Sequence, residues 1–295
     1  MSWFKRIFFF GLVNILVLIT LNIFVHIVCA FMGVDPYGMN GEITGLLIFS
    51  AVFGMSGAFI SLFMSKWMAK KMMGLTMIDL QTRDHQAREI VEMVHEMSRR
   101  AKLRKMPEVG IYNAPEMNAF ATGPSKNNSL VAVSSGLVQA LDRGELEAVI
   151  GHEVAHIANG DMVTMTLIQG VVNTFVIFFS RIVARIAASQ VERNQYMVYF
   201  ATSIITQIVF GILGSIVVAW FSRWREFRAD AGGAKYSSRE NMIGALQKLS
   251  RQTIPHKKED AMAALKISGA SGLMALMSTH PPLEKRVAAL QKLRV

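Results

Sequence analysis

Cysteine is nearly absent. Cys29 is the single thiol among 295 residues, so no intramolecular disulfide can form. It lies inside an apolar run, where a lone thiol behaves as a small hydrophobe. Charge is scarce too: 18% of residues are Asp, Glu, Lys or Arg against 52% hydrophobic, a balance that excludes an ordinary soluble domain. The charges present lean one way, to a net +10. They form no continuous basic patch of the kind nucleic acid requires. Several flank apolar runs, where they would face anionic headgroups, so the expected partner is a lipid bilayer and not nucleic acid. Internal repeats and low-complexity tracts are also missing. The length suffices for one or two domains with a real core.

Four long apolar runs are present, at 7–31, 43–64, 162–180 and 198–221. A helix needs about 20 apolar residues to cross a bilayer. The first run is too long for the apolar part of a signal peptide and a second follows at once, so it reads as an uncleaved anchor. Lys5 and Arg6 precede the first run, and Lys66, Lys70 and Lys71 follow the second. The connection GVDPYGMNGE has no Lys or Arg and holds Asp35 and Glu42. The positive-inside rule then puts the N-terminus and the chain after Lys66 in the cytoplasm. Asn22 and His26 stand one turn apart in the first run, as a polar track or as hydrogen-bonding partners for a neighbouring helix. Ser50, Gly54 and Ala58 repeat every four residues in the second, a face suited to close helix packing. The third and fourth runs carry Gln169, Asn173, Thr202, Ser203, Thr206 and Gln207, and their connection carries Arg181, Arg185 and Arg193. Either they cross as a pair or they form a hairpin partly buried in protein.

The segment 66–161 is polar enough to be water-exposed. Asp84 opens a helical pattern with Ile90, Val91, Val94 and Met97 near one face. Strand-like pieces follow at 108–112, 117–122 and 129–134, and GPSKNNS between the last two suggests a hairpin. Asp142 with Glu145 three residues on resembles a capping box, which starts a helix expected to run to about Ala158. Asn159-Gly160 is its stop. Residues 222–295 read as short helices, including 241–250 and 283–293. The expected organisation is a membrane hairpin at 1–65, the first part of a cytoplasmic domain at 66–161, a second apolar helix pair at 162–221, and the helical remainder of that domain at 222–295.

On the helix opened by Asp142 lies VIGHEVAHIANGD, which contains His-Glu-x-x-His. His152 and His156 project from one face, one turn apart, and both imidazoles can reach one metal. Glu153 is turned about 100° from them, so it can face a metal-bound water without being a ligand. This is the pattern of a zinc protease: the ion lowers the pKa of its water, and the adjacent carboxylate takes the proton. A catalytic zinc needs a third protein ligand and an open fourth position. Downstream, SRWREFRADAGG offers Glu226 and Asp230 at i, i+4. Glu226 as ligand leaves Asp230 to accept the free ring N–H of a ligand histidine. The competing reading makes Glu226 a surface carboxylate paired with Arg223, Arg225 or Arg228. If His156 and Glu226 share a metal, the intervening apolar pair returns to the side it left. One Zn²⁺ per chain is expected, although another divalent ion would suit similar ligands.

These residues, with NAFATG at 118–123, SRWREFRAD at 222–230 and THPPLEKR at 279–286, make the chain resemble the HtpX-type bacterial membrane zinc metalloproteases. It is similar, more distantly, to the CaaX prenyl-protein endopeptidases. The resemblance covers nearly the whole chain. It implies an α+β membrane protein with a zincin-like domain of the gluzincin kind: an active-site helix, a small mixed sheet and about four hydrophobic helices. It implies a zinc endopeptidase of the bacterial inner membrane, facing the cytoplasm, that hydrolyses misfolded membrane proteins under stress alongside other quality-control proteases. It further implies that the 117–122 strand holds substrate at its edge, with Asn118 and Ala119 at the cleft, and that His280 stabilises the oxyanion. Two alternatives stand beside this reading: a specific CaaX-type processing peptidase, and a non-catalytic membrane scaffold with a structural metal site. A structural site has no need of a base at Glu153.

Overall fold

The computed structural model describes residues 40–253 and 278–293. The first apolar run, with Asn22, His26 and Cys29, lies outside the described residues. In chain order the elements are α1 (Asn40–Met72), β1 (Thr76–Ile78), α2 (His85–Arg100), β2 (Glu108–Tyr112), β3 (Ala119–Ser125), β4 (Asn128–Ser134) and α3 (Ser135–Ala140). They continue with α4 (Arg143–Asn159), α5 (Asp161–Ser189), α6 (Gln195–Tyr236), α7 (Arg239–Thr253) and α8 (Leu283–Lys292). They fall into two compact units. Among the described residues, one comprises Asn40–Ile60 with Thr166–Ser215; the other comprises Ser61–Met165 and the described residues from Ile216 on.

The first unit is apolar on its outside. α1, α5 and α6 are each long and apolar enough to cross a membrane, with mean hydropathies of 2.1, 1.8 and 2.2. Phe200, Ile205, Ile208 and Leu213 of α6 are exposed, as side chains facing lipid are. The small-residue face of α1 packs as its spacing suggests. A Cβ on Gly54 would stand 2.5 Å from the Thr174 backbone nitrogen, so only glycine lets α1 and α5 approach this closely. Ser50 and Ala58 are buried beside it. Between α5 and α6 the sequence and the structure differ. α5 runs on to Ser189, so Arg181 and Arg185 are helical and only Arg193 lies in the link. Apolar Ile182 continues the helix period and packs against the cluster of Ile43, Leu46, Leu47 and Phe178. Arg181 lies over the Phe49 ring at 4.2 Å, which accommodates its charge.

The second unit is built on a four-stranded mixed sheet of order β1-β2-β4-β3. β1 pairs antiparallel with β2, β2 parallel with β4, and β3 antiparallel with β4. Leu130, Val131, Ala132 and Val133 of β4 are fully buried, the continuous apolar pattern of a strand covered on both faces. α2 begins where expected, with the Asp84 side chain accepting from the Gln86 N–H, and it buries Ile90, Val91, Val94 and Met97. Burial of four such side chains contributes roughly 1.5–3 kcal/mol each. α4 packs against α2, α7 and β3 and supplies Val149, Ile150, Val154 and Ile157 to the same core.

β3 is an edge strand, but it starts later and ends later than the apolar pattern suggests. Asn118 precedes it, tied to Ser134 by two bonds: its N–H donates to Ser134 Oγ at 3.0 Å, and the Ser134 N–H donates to its carbonyl at 2.9 Å. The far end is carried to Ser125 by an irregularity between Thr122 and Ser125. Gly123 there has φ 137°, and a Cβ on it would collide with the Asn128 carbonyl.

Candidate metal centre

Two cap devices place α4. Asp142 accepts from the Glu145 N–H while the Glu145 carboxylate accepts from the Asp142 N–H, so two of the otherwise unpaired amides at the helix start are satisfied. At the other end Gly160 adopts φ 73°, ψ 34°, and its N–H donates to the carbonyls of His156 and Ile157. The last two turns thus hold His152 and His156 on one face, with ring nitrogens Nε2 3.1 Å apart. α6 brings the third group. Glu226 is 1% exposed; its Oε1 lies 3.3 Å from His156 Nε2 and its Oε2 3.6 Å from His152 Nε2. The surface-carboxylate reading of Glu226 is therefore wrong, because the side chain is buried against the two imidazoles.

These spacings test whether a metal fits. Tetrahedral zinc with bonds of about 2.0–2.2 Å separates its ligand atoms by roughly 3.3–3.6 Å. The two imidazole nitrogens are 3.1 Å apart, one carboxylate oxygen of Glu226 lies 3.3 Å from His156 and the other 3.6 Å from His152, and one donor atom from each residue lies within 4.8 Å of the others, close enough to share an ion. His152, His156 and Glu226 are the groups among the described residues that could jointly hold an ion. All sit in the second unit.

The outer nitrogens of both histidines face carboxylates. His152 Nδ1 lies 2.9 Å from Asp230 Oδ1, and His156 Nδ1 lies 2.7 Å from Asp161 Oδ2. Asp230 is itself clamped by Arg286 of α8, whose Nε donates to Oδ2 at 2.8 Å and whose Nη2 donates to Oδ1 at 2.5 Å. Arg286 Nη1 lies 3.6 Å from Glu226 Oε2. His280 approaches from the segment before α8, with Nδ1 2.9 Å from Glu226 Oε2. Burial opposes a charge on His152, but the Asp230 and Glu226 carboxylates outweigh it and push the pKa up to about 10. Burial likewise opposes a charge on His156, and the carboxylates of Asp161 and Glu226 raise its pKa nonetheless. Glu153, half-buried on the adjoining face of α4, acts on both imidazoles through its charge.

The structure thus brings together His152, Glu153, His156, Glu226, Asp230 and His280. It places Ala119 at the start of the edge strand and Asn118 just before it. Spacing did not single out Asp161 or Arg286. A continuous helix would turn residue 161 away from His156, so the one available signal was the Gly160 stop. For Arg286 it was a cation on the face of α8 that also carries buried Leu290.

The chain resembles known proteins over most of its length. Residues 84–294 match the family described as Peptidase family M48. The chain is 50% identical over 295 residues to a protein of Thioalkalivibrio sulfidiphilus named Protease HtpX, covering 98% of this chain and 99% of that one. It is 52% identical to a Protease HtpX homolog of Bacillus licheniformis, covering 97% and 99%. Among solved structures it is similar in fold to S. mikatae Ste24p, with TM-score 0.58 at 14% identity, over 91% of this chain and 66% of that one. The family match spans well over half of the chain, and the curated relatives are matched end to end. On these grounds the chain belongs to peptidase family M48, a family of metallopeptidases, and is a membrane protein of that family.

Proposed function

We propose that the chain is a zinc endopeptidase that hydrolyses misfolded or damaged membrane proteins at the cytoplasmic face of the bacterial inner membrane. His152, His156 and Glu226 hold the ion, and two imidazoles with one carboxylate form a donor set suited to zinc with one position open. When bound, zinc supplies Lewis-acid polarisation of the scissile carbonyl and acidifies water. Glu153 accepts the proton of the attacking water and returns it to the leaving amine. Asp230 accepts the Nδ1–H of His152 and so keeps the Nε2 lone pair of that ring pointed inward. The edge position of β3 supports a substrate strand laid beside Ala119 through backbone hydrogen bonds, with Asn118 at its start. His280 is assigned to stabilise the oxyanion, supported by the contact of its Nδ1 with Glu226 Oε2, which holds the ring beside the ligand set.

The observation that carries the reading is the convergence of two imidazoles and the buried Glu226 carboxylate, with a further carboxylate, Glu153, on the adjoining face of α4 and outside that set. Membrane proteins as substrates are supported by the union, in one chain, of this centre with helices able to cross a bilayer. The cytoplasmic side is supported by Lys66, Lys70 and Lys71 after the second apolar run.

The test compares bound zinc with hydrolysis of an unfolded membrane substrate. Glu153→Gln is expected to keep the metal and lose at least ~10²–10⁴-fold in rate, the typical worth of one general base. Glu226→Ala is expected to lose both. A metal-loaded Glu153→Gln enzyme with substantial activity removes Glu153 from the mechanism. Full zinc retention by Glu226→Ala at low free metal places the third ligand elsewhere.

A further inference from the structure

We infer that Asp161 is a positioning residue for the metal centre. Its carboxylate fixes the tautomer and ring orientation of His156, as Asp230 does for His152. This rests on the reading of His152, His156 and Glu226 as the metal ligands. Asp161 is 3% exposed, and its Oδ2 sits 2.7 Å from His156 Nδ1. The other ring nitrogen, Nε2, is turned toward His152 and Glu226. A proton held on Nδ1 by the carboxylate leaves the Nε2 lone pair free for an ion, and the negative partner raises the basicity of the ring.

Backbone geometry explains how Asp161 reaches that nitrogen. On an unbroken helix the residue five places after His156 lies about 140° round the axis and cannot return to it. Gly160 breaks the helix in a left-handed conformation, and Asp161 becomes the first residue of a new helix, α5. The side chain then folds back under the last turn of α4. Its negative charge sits in the first turn of α5, where the unpaired amides and the helix dipole favour an anion. Asp230, by contrast, is held by Arg286. The two ligand histidines are thus braced by carboxylates that bracket the inserted apolar pair in sequence. One is the first residue of α5 and the other belongs to the last turns of α6.

The experiment uses the full chain purified in detergent, stripped of metal, with Asp161→Asn, Asp161→Ala, Asp230→Asn and Glu226→Ala beside wild type. Zinc affinity is read by competition with a fluorescent chelator, and the ligand field by the visible spectrum of the cobalt(II)-loaded protein. Both are read at a temperature where circular dichroism shows every variant folded. Asp161→Asn is expected to bind zinc roughly 10–100-fold more weakly, in the range of Asp230→Asn, and to shift the cobalt bands. Purely structural damage would lower the melting temperature without moving the cobalt bands of the folded protein. If Asp161→Ala does not fold, the isosteric Asp161→Asn still decides. Wild-type affinity and an unchanged cobalt spectrum in Asp161→Asn, with Glu226→Ala metal-free, overturn the role of Asp161 alone. Full metal binding by Glu226→Ala overturns the ligand reading and this inference with it.

Discussion

At the scale of the residue, the centre is a balance of buried charge. Glu153, Glu226, Asp230 and Asp161 face it from three helices, and Arg286 is the fixed cation beside them. The surrounding carboxylates favour a proton on His152. The pKa of His152 in the folded, metal-free chain is about 10, above its ordinary 6.5. A raised pKa means that protonation stabilises the metal-free fold fully below pH 6.5, and that this contribution disappears as pH rises through about 10. Zinc needs the neutral ring, so its binding releases that proton and tightens with pH over the same window, by up to about tenfold per unit for each proton displaced. Chelator-treated protein should therefore lose thermal stability between pH 7 and 10 while zinc-loaded protein does not, as melting curves at fixed ionic strength would show. Parallel curves would mean that the histidines are already neutral in the metal-free site. The groups with local periodicity were legible at this scale. His152, Glu153 and His156 share one helix, and Glu226 and Asp230 stand one turn apart on another. Arg286 was not legible, because its partner Asp230 lies 56 positions away and only the tertiary fold joins them.

At the scale of the element, the best-read segment was α4, because both of its ends are written in side-chain chemistry: the Asp142–Glu145 box and the Gly160 stop. β1 escaped notice because three residues, Thr76–Ile78, give no alternation to read. The limits of β3 were misplaced because Ser134, a partner sixteen residues on, decides where Asn118 sits. α5 outran its apolar segment because Arg181 can stay helical over an aromatic face. Gly160 links element to site. At φ 73° an alanine is strained by about 1–2 kcal/mol, whereas asparagine tolerates this region. Gly160→Ala is accordingly expected to lower the thermal midpoint and to weaken zinc binding, since any relaxation of the turn moves Asp161 away from His156. Gly160→Asn should retain most of both. Zinc competition and melting curves on the two variants check this. Equal loss in both would show that the site needs the absence of a side chain at 160, not a left-handed backbone.

At the scale of the whole molecule, the chain leaves the unit that holds the proposed metal centre after Met165 and rejoins it at Ile216. The apolar helix pair between the second and third proposed ligands thus belongs to the other unit, and both of its ends are expected on one side of the bilayer. The same logic decides which side. Lys66, Lys70 and Lys71 stand at the end of α1, and two of them are anchored within the unit of the proposed metal centre: Lys66 Nζ lies 2.8 Å and Lys70 Nζ 2.5 Å from Glu108. A lysine cluster is drawn to the cytoplasmic leaflet by the positive-inside bias, so the unit that holds it is expected there too. The preceding connection, which has no lysine or arginine, is expected outside. In a Cys29→Ser background, a cysteine at Gly38 should react with a membrane-impermeant maleimide added to spheroplasts. One at exposed Lys102 should react only after lysis, and a fluorescent reporter fused after Val295 should fluoresce as cytoplasmic fusions do. Labelling of the residue 102 cysteine in intact spheroplasts would invert the orientation. It would place the metal centre, which shares its unit with residue 102, on the outer face, where cytoplasmic quality control has no access to it.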